Sequence, residues 1–155
     1  MNKPSVLLGL ATAAAVAMPV HAEISAKQTE VMNQLLAAYA NQVKEDNKYL
    51  KSKGAKTYDK PFTAEAGRAF YTERRTYQSN EYTCSTCHTD DPKKEGKHKE
   101  SKKPIKPLAP SVNPERFMDA AKVEREFREH CMDVHGRDCH AYEKGNFVAY
   151  LMSVK

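Results

Sequence analysis

The sequence lacks tryptophan, and it contains only five phenylalanines among its 155 residues. Its mean hydropathy is −0.75, because lysine and other charged residues are abundant. A chain of this composition has few large apolar side chains with which to build a core. We therefore expect either a thin core or a large apolar cofactor that completes it.

Long apolar runs are absent beyond the N-terminus. There, Lys3 precedes the run "VLLGLATAAAVAMPV" at residues 6–20, and small residues precede a predicted cleavage point after Ala22. This pattern is typical of a secretory signal peptide at residues 1–22. The alternative is an uncleaved anchor, but the run is short for a membrane span of about 20 residues. We expect a periplasmic protein in an oxidising compartment, where disulfides persist.

Internal repeats and convincing strand patterns are also absent. Apolar residues recur at helical spacing in several segments, so we expect an all-α protein. The predicted helices are Ile24–Tyr49, one that starts after an N-cap at Thr63, one at about 119–130, and the C-terminal "YEKGNFVAYLMSV". Residues 23–60 are thus predicted to form an N-terminal helix and linker, and residues 61–155 the main domain.

Several prolines interrupt the segment between residues 91 and 113, which excludes a regular helix there. The pair Asn113–Pro114 is typical of a helix N-cap followed by the first helical position. It therefore predicts the entry to the third helix.

Cysteine is scarce, and two of the four cysteines lie in "YTCSTCHTD" at residues 82–90. A disulfide between Cys84 and Cys87 leaves the adjacent His88 unexplained, and a thioredoxin-like dithiol would need a βαβ context. Zinc could also recruit Cys131 and Cys139, but seven residues separate these two, unlike the close pairs of structural zinc sites.

C-x-x-C-H is also the attachment motif of c-type haem. Two thiols at this spacing can bind the two vinyl groups of one porphyrin, and the next histidine can ligate the iron. Export agrees with attachment outside the cytoplasm. The motif therefore predicts one covalent haem c, held by Cys84, Cys87 and His88.

The residues around the motif resemble those of class I cytochromes c. These proteins have a glycine and an aromatic residue where the N-terminal and C-terminal helices cross. Here Gly67, Phe70 and Tyr71 precede the motif, and Tyr150 lies in the last helix. A glycine permits close approach of two helices, because it has no Cβ. These residues are equally suited to an ordinary core.

The second axial ligand must come from the region after the motif. The candidates are Met118, His130, Met132, His135, His140 and Met152. Val123, Phe127, His130 and Cys131 share one face of the predicted third helix, whereas His135 would lie about 140° away from His130. His130 is the leading candidate. The alternative is a surface histidine that interacts with the helix dipole.

The remaining cysteines, Cys131 and Cys139, enclose "MDVHGRD" with Gly136 to help the turn. In an oxidising compartment they are expected to pair, with a stabilisation of about 2–3 kcal/mol. The alternative is two free thiols.

The stretch "PLAPSVNPERFMDAAKVEREFREHC", with "VHGRDC" and "EKGNFVAYL", closely resembles the sphaeroides haem protein (SHP) family of monohaem class I cytochromes c. The resemblance implies a class I cytochrome c fold around one haem, here with an extra N-terminal helix. It also implies a Cys131–Cys139 disulfide, and a Pro107 carbonyl that accepts a hydrogen bond from the His88 imidazole.

This sequence differs from the founding member of the family, which has an asparagine as distal ligand where His130 stands. Asparagine binds iron weakly and can leave, which opens a site for dioxygen or nitric oxide. Imidazole is a stronger ligand and is expected to keep ferrous iron six-coordinate. We therefore expect a single-electron carrier with His88 and His130 as axial ligands, although the sequence leaves open whether the protein is also an enzyme.

Two other functions stay open at this point. One is a haem protein that binds O2, NO or another small ligand at a labile distal site, or an oxidoreductase that uses this site. The other is a zinc-stabilised module. The net charge of +5 is mild, but seven lysines between residues 93 and 106 could attract an acidic redox partner. The resemblance implies a dihaem cytochrome c or a membrane cytochrome b as partner. A membrane surface is a weaker expectation, and nucleic acid is not expected.

Overall fold

The computed structural model describes residues 23–155, so the predicted signal peptide lies outside the described residues. Helices dominate this part of the chain, as predicted. They are α1 (Ala26–Ser52), α2 (Ala64–Thr72), α3 (Cys84–His88), α4 (Ala120–His135) and α5 (Ala141–Ser153). None of the helices in the described part of the chain is long and apolar enough to cross a membrane.

Two small antiparallel ladders accompany the helices. Strands β1 (Arg75–Tyr77) and β2 (Asn80–Tyr82) form one, and β3 (Gly96–Lys97) and β4 (Pro104–Ile105) form the other. Strands of two or three residues are too short to show an alternating pattern, which is why the sequence did not predict them. The first ladder turns through two consecutive residues with positive φ, at 78 and 79, as in a type I′ turn.

Helices α1 and α2 begin where side chains can cap them. The Ser25 hydroxyl accepts a hydrogen bond from the Gln28 amide at 3.2 Å, which opens α1 slightly later than predicted. The Thr63 hydroxyl accepts from the Ala66 amide at 3.1 Å, so the predicted N-cap of α2 is confirmed.

The predicted helix entry at Asn113 is wrong. The Asn113 side chain accepts from the Glu115 amide at 3.1 Å, but only a single turn follows. Phe117 then has φ +54°, which a helix cannot accommodate. Helix α4 begins after Asp119, which agrees with the predicted range of about 119–130, and the Asp119 carboxylate caps it. The helix continues beyond the predicted end to His135. Gly136, with φ +64°, ends the helix.

Helices α2 and α5 cross at close range, as the glycine predicted. A Cβ added at Gly67 would lie 2.0 Å from the Asn146 carbonyl oxygen and 2.7 Å from the Tyr150 Cβ. Such distances are far below van der Waals contact, so any larger residue would force the helices apart. The buried Asn146 side chain reinforces the crossing, because it accepts from the Thr63 amide at 2.8 Å.

Helix α1 belongs to the same core as the rest of the described chain. Its residues Val31, Met32 and Leu35 are almost completely buried. The Tyr39 ring contacts Phe127 of α4 edge to face, with centroids 6.3 Å apart. The division between residues 60 and 61 stays a prediction, and α1 packs directly against the domain that follows it.

Candidate haem site

The C-x-x-C-H motif forms a short helix of its own, α3. Its N-cap is a reciprocal capping box: the Thr83 and Thr86 side chains each accept from the other's backbone amide at 3.0 Å. Cys84, Cys87 and His88 are spaced by three and four residues, so they lie on one face of the helix. The local sequence thus aims both thiols and the imidazole in one direction.

Two contacts hold α3 in place. A Cβ at Gly96 would lie 2.2 Å from the Cys87 carbonyl oxygen, so strand β3 can approach α3 this closely only with glycine. The fully buried Tyr71 of α2 donates its hydroxyl to the Thr89 carbonyl at 2.5 Å. Thr89 has φ +63° and directly follows His88, so this bond fixes the backbone next to the predicted ligand.

The protonation of this cluster argues against a redox dithiol. Burial raises the pKa of the Cys84 thiol to about 12, whereas reactive dithiols have a lowered thiol pKa. Burial also lowers the pKa of His88 to about 4, with further lowering by His130 and Arg116. At pH 7 the His88 imidazole is therefore neutral, as a metal ligand must be.

A cavity of about 500 Å³ opens beside α3. Both free cysteines and His88 line one side of it. Its walls are largely apolar, and they include Phe70, Leu108, Phe117, Val123, Phe127 and Phe147. A cavity with this size and lining suits a large apolar group attached through the two thiols.

His130 of α4 also lines this cavity, close to His88. The centroids of the two imidazole rings lie 6.1 Å apart, with 46° between their planes. Metal–imidazole bonds of about 2.0–2.1 Å, with each ring centre roughly 1.1 Å beyond its nitrogen, would separate two opposed ligands by roughly 6 Å. The residues therefore fit one metal ion between the two rings.

The other ligand candidates are placed differently. The Met132 side chain is 43% exposed and does not line the cavity, and Met152 packs against the core. Met118 lines the cavity but is 44% exposed. His135 also reaches the cavity wall, where its ring stacks on Phe70 with centroids 5.1 Å apart. Among these, only His130 has a ring contact with His88 in the structure.

His130 is itself partly open to solvent. Its side chain is 52% exposed, and its Nε2 lies 3.4 Å from a carboxylate oxygen of Glu126, one turn earlier on α4. The sequence analysis did not single out Glu126. Its position four residues before His130, on the same helix face, is the signal that could have identified it.

The second cysteine pair lies at the end of α4. Cys131 and Cys139 form a disulfide with their Cα atoms 5.7 Å apart, next to His130 in sequence. Gly136 within this loop packs on the Tyr77 ring of β1. Within residues 23–155 no three histidine, cysteine, aspartate or glutamate side chains converge as a metal site. The zinc alternative therefore lacks a ligand set here.

The Pro107 carbonyl has other hydrogen-bond donors than the one that was expected. Its oxygen accepts from the Asn113 side-chain amide at 2.7 Å and from the Arg116 Nε at 3.2 Å, and not from His88. These two donors use both lone pairs of the oxygen. The role of Arg116 is not predicted from the sequence, because "NPERF" has the pattern of a helix start.

Comparisons with known proteins agree with this site. Residues 57–151 match the family described as Domain of unknown function (DUF1924). Cytochrome c'' of Methylophilus methylotrophus is 46% identical over 88 residues, which are 56% of this chain and 61% of that protein. The match thus spans less than two thirds of the length of cytochrome c''. Cytochrome c-type protein SHP of Cereibacter sphaeroides is 40% identical over 92 residues, which are 59% and 70% of the two chains.

Solved structures extend the likeness over more of the chain. The crystal structure of oxidised cytochrome c'' from M. methylotrophus has a TM-score of 0.69 at 35% identity, and the match covers 81% of this chain and 96% of that one. The structure of oxidised SHP, described as an oxygen-binding cytochrome c, has a TM-score of 0.60 at 35% identity, with 77% and 94% covered.

The fold and the site thus define a monohaem c-type cytochrome, whose cofactor is haem c. The chain belongs to the SHP family of monohaem cytochromes c and to the DUF1924 family that matches residues 57–151.

Proposed function

We propose that this protein is a periplasmic electron carrier whose single haem is ligated by His88 and His130. The observation that carries the proposal is the 6.1 Å separation of their rings in the lining of the cavity. Two imidazoles at this separation leave room for a metal ion and for no third ligand between them. Such an arrangement favours electron transfer over the binding of small molecules.

Each residue of the site has a distinct task in this proposal. Haem c, when bound, supplies a centre that gains and loses one electron. Cys84 and Cys87 hold it covalently, and the neutral His88 offers its nitrogen from a helix that Tyr71 and Gly96 fix in place. The apolar wall around Phe127 excludes water. The side of the site that carries His88 is therefore organised in advance, which limits structural rearrangement there when the haem gains or loses an electron.

The segment 93–106, here called the lysine loop, is a candidate docking surface. Six of its seven lysines are exposed. His98 and Ile105 of the same loop line the haem cavity, so the positive charge borders the cofactor. We propose that an acidic redox protein docks here, and a dihaem cytochrome c or a membrane cytochrome b would fit. The bimolecular electron-transfer rate should fall as ionic strength rises.

A predicted signal peptide and a disulfide support the proposed periplasmic location. The predicted signal peptide ends at Ala22, and the Cys131–Cys139 disulfide suits an oxidising compartment. N-terminal sequencing of the purified protein tests the cleavage point, with Glu23 expected as the first residue.

A second candidate function is the binding of a small ligand such as O2 or NO after His130 leaves the iron. The 52% exposure of His130 and its contact with Glu126 favour this candidate, because a detached imidazole would have room and a partner. One solved relative is described in terms of haem-ligand detachment, and SHP is described as oxygen binding.

Carbon monoxide distinguishes the two candidates. If the reduced protein carries electrons through two fixed imidazoles, CO will leave its Soret band unchanged. A rapid Soret shift would show a labile distal site and favour the second candidate. A redox titration supplies an independent test: His130→Met should raise the midpoint potential, because a thioether ligand favours ferrous iron more than imidazole does.

A further inference from the structure

Helix α1 precedes residues 57–151, which match the DUF1924 family. One side chain of this helix, Gln28, contacts a segment more than 80 residues away in the sequence. Gln28 is only 1% exposed. Its Nε2 lies 3.2 Å from the Pro110 carbonyl oxygen, 3.1 Å from that of Asn113 and 3.0 Å from that of Arg116. A single amide group thus faces three carbonyls of one distant segment.

The other end of the same side chain closes the start of α1. The Gln28 Oε1 accepts from the Ser25 amide at 3.0 Å, as part of the capping box. All of the hydrogen-bonding groups of the side chain are therefore used, and they join the beginning of α1 to the segment 110–116.

That segment belongs to the loop 106–118, here called the cavity loop, which forms one wall of the haem site. Leu108, Arg116 and Phe117 of this loop line the cavity. The loop lacks regular secondary structure apart from isolated turns. Its own backbone hydrogen bonds are turn bonds and two bonds from Leu108 and Ala109 to the Pro92 carbonyl, and none of them joins the loop to α1. Its last residue directly precedes Asp119, the N-cap of α4, which carries His130.

Arg116 depends on the same arrangement. Its Nε donates to the Pro107 carbonyl at 3.2 Å, and its Nη2 donates to the Lys106 carbonyl at 3.1 Å. The guanidinium therefore joins the end of the cavity loop to its beginning. The Gln28 amide contacts the backbone carbonyl of the same arginine. Burial lowers the pKa of Arg116, and the nearby Glu126 and Glu115 oppose that lowering.

We propose that Gln28 is a positioning residue for the haem site: it holds the cavity loop against α1 and thereby sets where α4 presents His130. The physical reason is that buried carbonyls need donors, and the two N–H groups of the Gln28 amide lie within hydrogen-bond distance of three carbonyl oxygens of the loop. Helix α1 is then part of the cofactor site, although none of its residues lines the cavity.

The variant Gln28→Glu separates this role from capping. Glutamate at this position keeps the capping box, since S-x-x-E is a preferred form of it. However, glutamate offers at most one O–H donor, when protonated, in place of the two N–H donors of glutamine, and when ionised it offers none to the three carbonyl oxygens. Gln34→Ala is the matched control, because Gln34 is an exposed glutamine on the same helix whose amide donates to the exposed Glu30 side chain.

The experiment compares the haem-loaded full chains by amide hydrogen exchange and by absorption spectra. In Gln28→Glu we expect exchange in the cavity loop to be about tenfold faster or more, because the loop opens more often. We also expect a weaker low-spin spectrum and faster CO association with the reduced protein, while Gln34→Ala matches wild type. If Gln28→Glu does not fold, Gln28→Met removes the donor without adding charge, although it also removes the Oε1 acceptor of the capping box, and it should show the same changes in the cavity loop.

The proposal would be overturned if amide exchange in the cavity loop were as slow in Gln28→Glu and Gln28→Met as it is in wild type. Faster exchange with an unchanged haem spectrum and CO rate would also overturn it, because Gln28 would then stabilise the loop without positioning the site. The exchange result does not depend on which ligand binds the iron. A failure of His130 ligation, measured separately in His130→Ala, is therefore distinguishable from a failure of this proposal.

Discussion

The imidazole rings of His88 and His130 lie close together in the lining of the haem cavity, with centroids 6.1 Å apart, although the two residues lie on different helices. His88 comes from α3, which is fixed by local capping and by contacts with α2 and β3. His130 comes from α4, and its side chain is 52% exposed although it lines the cavity. One proposed ligand is thus rigidly held and the other is partly free, which accounts for both the electron-carrier proposal and its ligand-binding alternative.

Removing the Tyr71 hydroxyl should weaken the support of α3. Tyr71→Phe removes the hydrogen bond to the Thr89 carbonyl and leaves that oxygen without its buried donor. We expect the free energy of unfolding to fall by about 1 kcal/mol. Because Thr89 follows His88, the Soret band of the oxidised protein should also shift. Chemical denaturation and absorption spectra measure the two effects.

Tyr49→Phe is the matched control for this variant, since Tyr49 is 65% exposed. It should change neither the unfolding free energy nor the spectrum. If Tyr71→Phe behaves like Tyr49→Phe, the hydroxyl does not support the haem-binding helix.

An alanine at Gly67 should separate α2 from α5. Its Cβ would lie 2.0 Å from the Asn146 carbonyl oxygen, which belongs to backbone and cannot rotate away. We expect a loss of about 1–3 kcal/mol or more from overpacking, measured by thermal or chemical unfolding. Alanine is intrinsically favoured over glycine in a helix by about 1 kcal/mol, so an increase in stability would contradict the close crossing.

Gly54→Ala is the comparison for that variant. No atom would lie within 4 Å of its Cβ, but the residue has φ +65°. It should therefore lose only about 1–2 kcal/mol through left-handed backbone strain, without any change in the haem spectrum.

Stability should fall in acid through Glu143. Burial acts to raise the pKa of this carboxyl, but hydrogen bonds from Arg137 and from the His140 amide outweigh it, and the pKa lies below its ordinary 4.5. A lowered folded-state pKa contributes stability above the unfolded-state value, which is lost as pH falls through the folded-state value. We therefore expect the loss below about pH 4.5.

The variant Glu143→Gln should show a smaller loss of unfolding free energy over the same acid range, and should be about 1–3 kcal/mol less stable at pH 7. Glu45→Gln is the control, because Glu45 forms an exposed ion pair with Lys48 that is worth little. An equally steep acid dependence in Glu143→Gln and wild type would show that another group is responsible.

The cofactor and the main helices could be predicted from the sequence because their signals are local. The C-x-x-C-H spacing alone specifies two thiols and an imidazole on one helix face, and Thr63 marks the start of α2. The close crossing at Gly67 was also predictable, since only glycine removes the Cβ at such a contact.

Other features depend on contacts between distant residues and could not be predicted. Asn113 and Pro114 have the local pattern of a helix entry, but the contacts of Gln28 and Arg116 hold this segment as an irregular loop. The Pro107 carbonyl was expected to face His88, yet the same loop turns it towards Asn113 and Arg116. The short strands are set by pairing partners rather than by their own sequence.

The absorption spectrum of His130→Ala tests the central claim most directly. Oxidised wild type should show a six-coordinate low-spin spectrum, and the variant should lose it and, once reduced, bind CO rapidly. The control His140→Ala changes an exposed histidine that does not line the haem cavity, and it should match wild type. An unchanged low-spin spectrum in His130→Ala would contradict the assignment of His130 as the second axial ligand.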